Sequence, residues 1–257
     1  MRKPFFPMLS FCLIATFAVA QQGPPAASVC EVHLNQVKPG MTAQYEQGRA
    51  RHMAWHKSQN DKWSWEVWEV LTGENTGDYM VVSCGHDWKD FDGRDKFNAA
   101  DTANANTTMG PYLAKQTMSY YVLRPDLGAM PPTTGPPPQY LNVLFFTLKP
   151  EGVPDFNENV KKVSSAMSKP GVSAGQASFY SLASGGVGPQ VALIQERKSM
   201  AEMAGPGKTV DEVVRDAYGD QGATILGTLR KAYSSMYSEL LHFRQDLSYI
   251  PPAAPMR

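Results

Sequence analysis

Apolar and polar residues alternate from Val29 to Val37, a strand pattern that Pro39 and Gly40 end. The period then changes, and Met41, Tyr45, Gly48, His52 and Trp55 form one stripe of a helix running to Ser58. Trp63 to Leu71 and Tyr79 to Cys84 read as strands joined by a turn from Gly73 to Gly77. The stretch from Trp88 to Lys115 is partly helical, with breaks at Gly93, Gly110 and Pro111. An aromatic strand from Tyr120 to Leu127 closes the run.

The same order then repeats. Lys38-Pro39 after the first strand is answered by Lys149-Pro150, and Tyr79 to Cys84 by Val191 to Gln195. Trp88 and Phe91 are answered by Met200 and Met203, and the closing strand by Leu240 to Leu247. Val153 to Met167 is the first helix of the second half, and Val210 to Tyr233 a broken second one. A repeat of this length is settled before other readings. The expected organisation is a module over 28–127, a proline-rich linker over 128–139, a second module over 140–249 and a tail over 250–257.

Strand-helix-strand twice in each half, with the helices on one face, is an α+β, ferredoxin-like βαββαβ arrangement. Each half would leave one sheet face bare. Packing the halves sheet to sheet removes that face from water, at about 25 cal/mol per Å² of apolar area. The chain is thus expected to act as its own dimer, a monomer with an internal pseudo-dimer that leaves further homodimerisation open.

The N-terminus adds a location. Arg2 and Lys3, an apolar core from Phe5 to Val19, and Ala18-Val19-Ala20 before Gln21 form a secretory signal pattern. The core is too short to span a bilayer, which takes about 20 residues, and no later segment spans either. Bulky Phe11 before Cys12 does not fit a lipoprotein signal. The mature protein is expected in the periplasm or outside the cell, cleaved near Ala20. Net charge is zero and 19% of residues are charged, so nothing attracts a polyanion and nucleic acid is excluded as a partner. Cys30 and Cys84 remain after cleavage. If their strands are parallel neighbours, Cys30 starts one and Cys84 ends the other, beyond bridging distance, so two buried free thiols are expected.

The βαββαβ order, the Trp88–Phe91 pair opening the second helix and the final aromatic strand resemble the dimeric α/β-barrel superfamily. It includes antibiotic-biosynthesis-monooxygenase-like and NIPSNAP-like domains and stress-responsive barrel proteins. The resemblance spans both halves and implies an intramolecular dimeric α/β barrel. Its members include cofactor-free oxygenases, haem-degrading enzymes and isomerases, so the fold does not choose an activity.

Comparing the halves locates the candidate chemistry. Cys30, Val32 and Leu34 are answered by apolar Leu141, Val143 and Phe145. On the other face Glu31, His33 and Asn35 are answered by Asn142, Leu144 and Phe146, which puts a carboxylate, an imidazole and an amide in one row, about 7 Å apart. Four of the five histidines lie in the first half. His52 and His56 are one helical turn apart, a metal-ligand spacing, but such a pair alone is a weak signal, and a packed His52 beside an exposed His56 is the expected arrangement. Trp63, Trp65 and Trp68 crowd one strand, a wall suited to a flat organic ligand. By resemblance to the haem-degrading members, Asn35 and Trp65 take the strand asparagine and sheet tryptophan roles, while the second-helix histidine has no counterpart between Trp88 and Lys115. His33 and His86 are the candidate bases. Glu31, Asn35, His52 and Trp65 are the candidate ligand-binding residues. No cofactor is required by this reading, with haem or a metal ion as the weaker options. The expected function is small-molecule binding, oxygenase- or isomerase-like, sited in the first half. A non-catalytic structural or interaction protein is the alternative.

Overall fold

The computed structural model describes residues 29–128, 136–169, 172, 177–205 and 207–252. The expected signal segment, the middle of the linker and the end of the tail lie outside them. The first half runs β1 (Val29–Val37), α1 (Thr42–Ser58), β2 (Glu66–Val70), β3 (Tyr79–His86), α2 (Trp88–Asp92), α3 (Asp95–Thr108) and β4 (Leu113–Leu123). The second runs β5 (Tyr140–Leu148), α4 (Val153–Met167), β6 (Ala177–Ser184), β7 (Gln190–Arg197), α5 (Val210–Tyr218), α6 (Gln221–Lys231) and β8 (Tyr233–Phe243).

All pairings between these strands are antiparallel. They close into one eight-stranded barrel in the order β1-β3-β2-β8-β5-β7-β6-β4. Each half contributes four consecutive strands, and the halves meet edge to edge, β2 on β8 and β4 on β6. Their inner faces therefore oppose each other across an interior instead of interdigitating.

Alternation decides which side chains face inward. Trp68, Val143, Phe145, Ala192 and Leu241 form the inner apolar layer, with Met80, Val82, Ile194 and Phe243 against it. The outer face of the first half packs Trp65, Val67, Tyr79 and Val81 against Tyr45 and Met53 of α1. The outer face of the second packs Phe179 and Val191 against Phe156 and Val160 of α4. A further apolar layer joins α4 to α5 and α6 through Ala166, Val213, Val214, Ile225 and Leu226. Thr209 starts α5 with a capping box to Glu212.

Three sequence expectations need correction. The closing strands begin about seven residues earlier than their apolar pattern suggests. From Leu113, β4 pairs with β1 but meets β6 only from Tyr120, and β8 pairs with β5 from Tyr233 but meets β2 only near Leu241. One edge of each early segment is open to water, so it carries polar residues and no alternation. The cysteines are not free thiols: Cys30 and Cys84 form a disulfide. Their strands are antiparallel neighbours, which brings the start of β1 beside the end of β3. A bulge between Val29 and Glu31 with Gly85 at φ +86° accommodates the link, a conformation that favours glycine. Finally, His56 is not exposed but only 1% accessible, because α1 buries Arg49, His52 and His56 along with Tyr45 and Met53.

Candidate functional site

The barrel encloses a cavity of about 1240 Å³, larger than the roughly 300–1,000 Å³ usual for small-molecule pockets. Its wall is mostly aliphatic and aromatic, from Val32, Leu34, Trp68, Val143, Phe145 and Ala192. Its polar groups include the acids Glu66, Glu196 and Glu239 and the phenols Tyr121, Tyr180 and Tyr237, with Asn75, Thr117, Ser119 and Ser178 among the neutral ones. Among the described lining residues the basic side chains are Lys62 and His86, both near one end of the barrel, where strands β1, β2, β5 and β8 place Trp63, Pro136–Pro138 and Pro251–Pro252 as a rim.

Glu239 is 1% accessible and accepts a 2.6 Å hydrogen bond from Asn75 Nδ2. Burial pushes its carboxyl above the usual range, against the pull of that bond. Burial likewise pushes the Tyr180 and Tyr237 phenols up to about 12, so both are donors at neutral pH. His86 stacks on Trp63 with ring centroids 3.7 Å apart, and its Nε2 lies 2.8 Å from Ser83 Oγ. Burial and then the positive charge of Arg94 pull its pKa down, which leaves it neutral and able to accept a proton.

The row on β1 faces the other way, into the layer between the sheet and α1. Glu31 Oε1 and His33 Nε2 touch at 2.6 Å, and the His33 ring lies 6.1 Å from Trp65. Asn35 is fully buried; its amide donates to Tyr45 Oη at 2.9 Å and accepts from Gln116 Nε2 at 2.6 Å. With both ends of that amide engaged and no histidine in α2 or α3, the residues that the haem resemblance would use do not fit a haem here.

His52 also lies in this layer, 3% accessible, beside His56. Their Nε2 atoms are 3.2 Å apart. Asp101 of α3 brings its Oδ1 to 3.1 Å from His52 Nε2 and 3.2 Å from His56 Nε2. The outer ring nitrogens are held by other groups, His52 Nδ1 by Asn104 Oδ1 at 2.8 Å and His56 Nδ1 by Asp61 Oδ2 at 2.9 Å. Asp61 also accepts from Trp65 Nε1 at 2.9 Å and from both terminal nitrogens of Arg94, at 2.8 and 3.2 Å. Burial raises the Asp61 carboxyl, but His56, Arg94 and Trp65 outweigh it and hold it well below the usual range. Gly48 allows this seam: a Cβ there would lie 2.2 Å from the Thr108 carbonyl oxygen, so α1 and α3 approach closely one turn before His52.

The structure thus divides the six candidates. His86 borders the cavity, while Glu31, His33, Asn35, His52 and Trp65 lie on the far side of the barrel wall. The acidic and phenolic wall residues were not singled out in the sequence, where they fall among other polar and aromatic strand residues, as Tyr237 and Glu239 do in β8. Asp101 and Asn104 were missed as well, in a helix that reads as polar all round.

A closed antiparallel barrel with helices outside and a cavity within is the dimeric α/β-barrel fold. No family model and no curated protein matches the chain in sequence. Solved structures do match in fold. A candidate monooxygenase from Fusobacterium nucleatum superposes with a TM-score of 0.56 at 8% identity, covering 86% of this chain and 94% of that one. A candidate monooxygenase from Lactobacillus acidophilus gives 0.51 at 9%, covering 88% and 97%. A chlorite dismutase from Candidatus Nitrospira defluvii, in complex with imidazole, gives 0.52 at 10%, covering 85% and 92%. At these identities the likeness is one of fold.

Proposed function

We propose that the chain is an exported small-molecule-binding protein in which two tandem ferredoxin-like modules act as their own dimer and hold an organic ligand inside the barrel. The cavity carries this reading: about 1240 Å³ of largely apolar space with placed polar groups. Glu239 in the wall, with Lys62 the only Lys or Arg among the described lining residues and placed at one end, favours a neutral or cationic ligand over an anion. His86, neutral and at the rim, is the group of the first half suited to proton transfer on such a ligand, which fits an oxygenase- or isomerase-like activity. The matching order of elements in the two halves supports the tandem origin. The Arg2-Lys3 start with Ala18-Val19-Ala20 supports export, as does a disulfide of the kind that oxidising compartments sustain.

Ala192 is 3% accessible and lines the cavity, so Ala192→Trp fills it from the wall. In a melting screen against hydrophobic amines and neutral aromatics, the unaltered protein should be stabilised by compounds that leave Ala192→Trp unmoved. Equal stabilisation of both proteins, or of neither, would place binding elsewhere and remove the reading.

A further inference from the structure

The seam between α1 and α3 holds three potential donor atoms that the cavity does not use. His52 Nε2, His56 Nε2 and Asp101 Oδ1 stand 3.1 to 3.2 Å from one another. An ion bound at about 2.0–2.1 Å by nitrogen and oxygen sets neighbouring ligand atoms about 2.8–3.0 Å apart in an octahedral site and about 3.3–3.4 Å apart in a tetrahedral one. The edges of the triangle fall between these two values.

The surrounding bonds direct lone pairs toward its centre. The Asp61 carboxylate already accepts from Trp65 Nε1 and from both terminal nitrogens of Arg94, so it accepts from His56 as well and the His56 proton sits on Nδ1. The Asn104 carbonyl oxygen faces His52 Nδ1 and fixes the same tautomer there. In the neutral rings both Nε2 atoms then carry bare lone pairs that face each other and a carboxylate oxygen. Asp101 Oδ1 is sealed from solvent, and among the described residues its close polar neighbours are the two Nε2 atoms, within 3.2 Å. Three electron-rich atoms packed this way repel unless a proton or a metal ion lies among them, and both would occupy the same place.

We propose that His52, His56 and Asp101 bind one divalent first-row transition-metal ion, with the remaining coordination positions open to water or a small ligand. Two imidazoles and one carboxylate suit zinc, iron, cobalt or nickel, and three protein ligands leave such positions free. The outer shell is complete: Asp61 orients His56 in the way second-shell carboxylates orient metal-bound imidazole, and Asn104 does so for His52. Arg94 offsets the charge of Asp61. Buried Arg49, one turn before His52, is the group that opposes a cation here; its Nε and Nη2 have no hydrogen-bond partner among the described residues. The open side is that of Asp101, which is 20% accessible while the histidines are 3% and 1%. The site lies outside the barrel wall, so it stands or falls separately from ligand binding in the cavity.

The test is equilibrium dialysis of the full chain, stripped with chelator and exposed to Zn²⁺ or Co²⁺ at micromolar free concentration. One ion per chain is expected. His52→Ala and His56→Ala should each lose it at that concentration, and Asn104→Ala should weaken it by about 10- to 100-fold. No bound ion, or an ion retained by both histidine variants, overturns the proposal. Should the variants fail to fold, electron spin-echo spectra of the Cu²⁺-loaded unaltered chain decide. Two coordinated imidazoles are expected, and one or none overturns the site.

Discussion

With the two Lys-Pro pairs aligned, His52 and His56 of α1 correspond to Val163 and Met167 of α4. In the second half those two side chains join an apolar layer with Val213, Val214, Ile225 and Leu226. In the first half the same position holds His52, His56, Asp101, Asn104 and Asp61 in a bonded cluster. One fold thus accepts either filling at the seam between its helices. The apolar one needs no partner. The polar one is stable only where each group is matched, because an unmatched buried polar group costs about 1–3 kcal/mol. Stability alone does not require the polar seam, and that difference makes it the place to look for function.

The disulfide is a second feature confined to the first half; Leu141 faces Glu196 at the matching place in the second. It closes a loop with a sequence separation of 54, for which the chain-entropy view gives about 4 kcal/mol. Cys30→Ala with Cys84→Ala should therefore lower the melting temperature by about 10 °C, and reductant should do the same to the unaltered protein. Identical melting with and without reductant would contradict this.

Gly48→Ala tests the close approach of α1 and α3. A Cβ there would lie 2.2 Å from the Thr108 carbonyl oxygen, so the helices must separate, at a cost of about 1–3 kcal/mol. Denaturant unfolding should show that loss, and metal uptake should fall with it. A variant as stable as its parent would mean the helices do not depend on this contact.

The first half can also be given the second half's apolar filling. His52→Val, His56→Met and Asp101→Ala together remove the whole triangle and leave no lone buried charge in it. Replacing a buried charged group as a unit is often neutral or stabilising, so melting should stay within about 3 °C of the metal-free parent. A large loss would show that the seam is structural.

The smallest effect is expected at Glu239. Burial raises its folded pKa above the ordinary glutamate value, so the fold favours the protonated form. That contribution is complete below the unfolded value of about 4.3 and is lost as pH rises through the raised folded value. Glu239→Gln should therefore melt slightly higher than the parent at pH 7, with the gap closing by about pH 4. A gap that widens on acidification would reverse the assigned sign.

Much of this barrel was legible in the alternation of β1, β3, β5 and β7 and in the matched order of the two halves. The parts that were not share a physical cause. Periodicity registers a buried surface only when it is apolar, and the inward face of α1 carries Arg49, His52 and His56. Its partner α3 reads as solvated because the groups it turns inward are Asp101 and Asn104. The spacing of His52 to His56 was a signal; the matching signal was Asp101 and Asn104, three residues apart on one face of the next helix. The disulfide was misjudged through strand direction alone, since antiparallel pairing brings together the two ends that parallel pairing would separate.

The claim that the first half's polar seam is a binding site is tested most directly by anomalous scattering from crystals of the full chain grown with Co²⁺. One strong peak is expected within about 2.2 Å of His52 Nε2, His56 Nε2 and an Asp101 oxygen, and none at the matching seam of α4 and α6. An empty first seam in crystals that carry Co²⁺ elsewhere would contradict it.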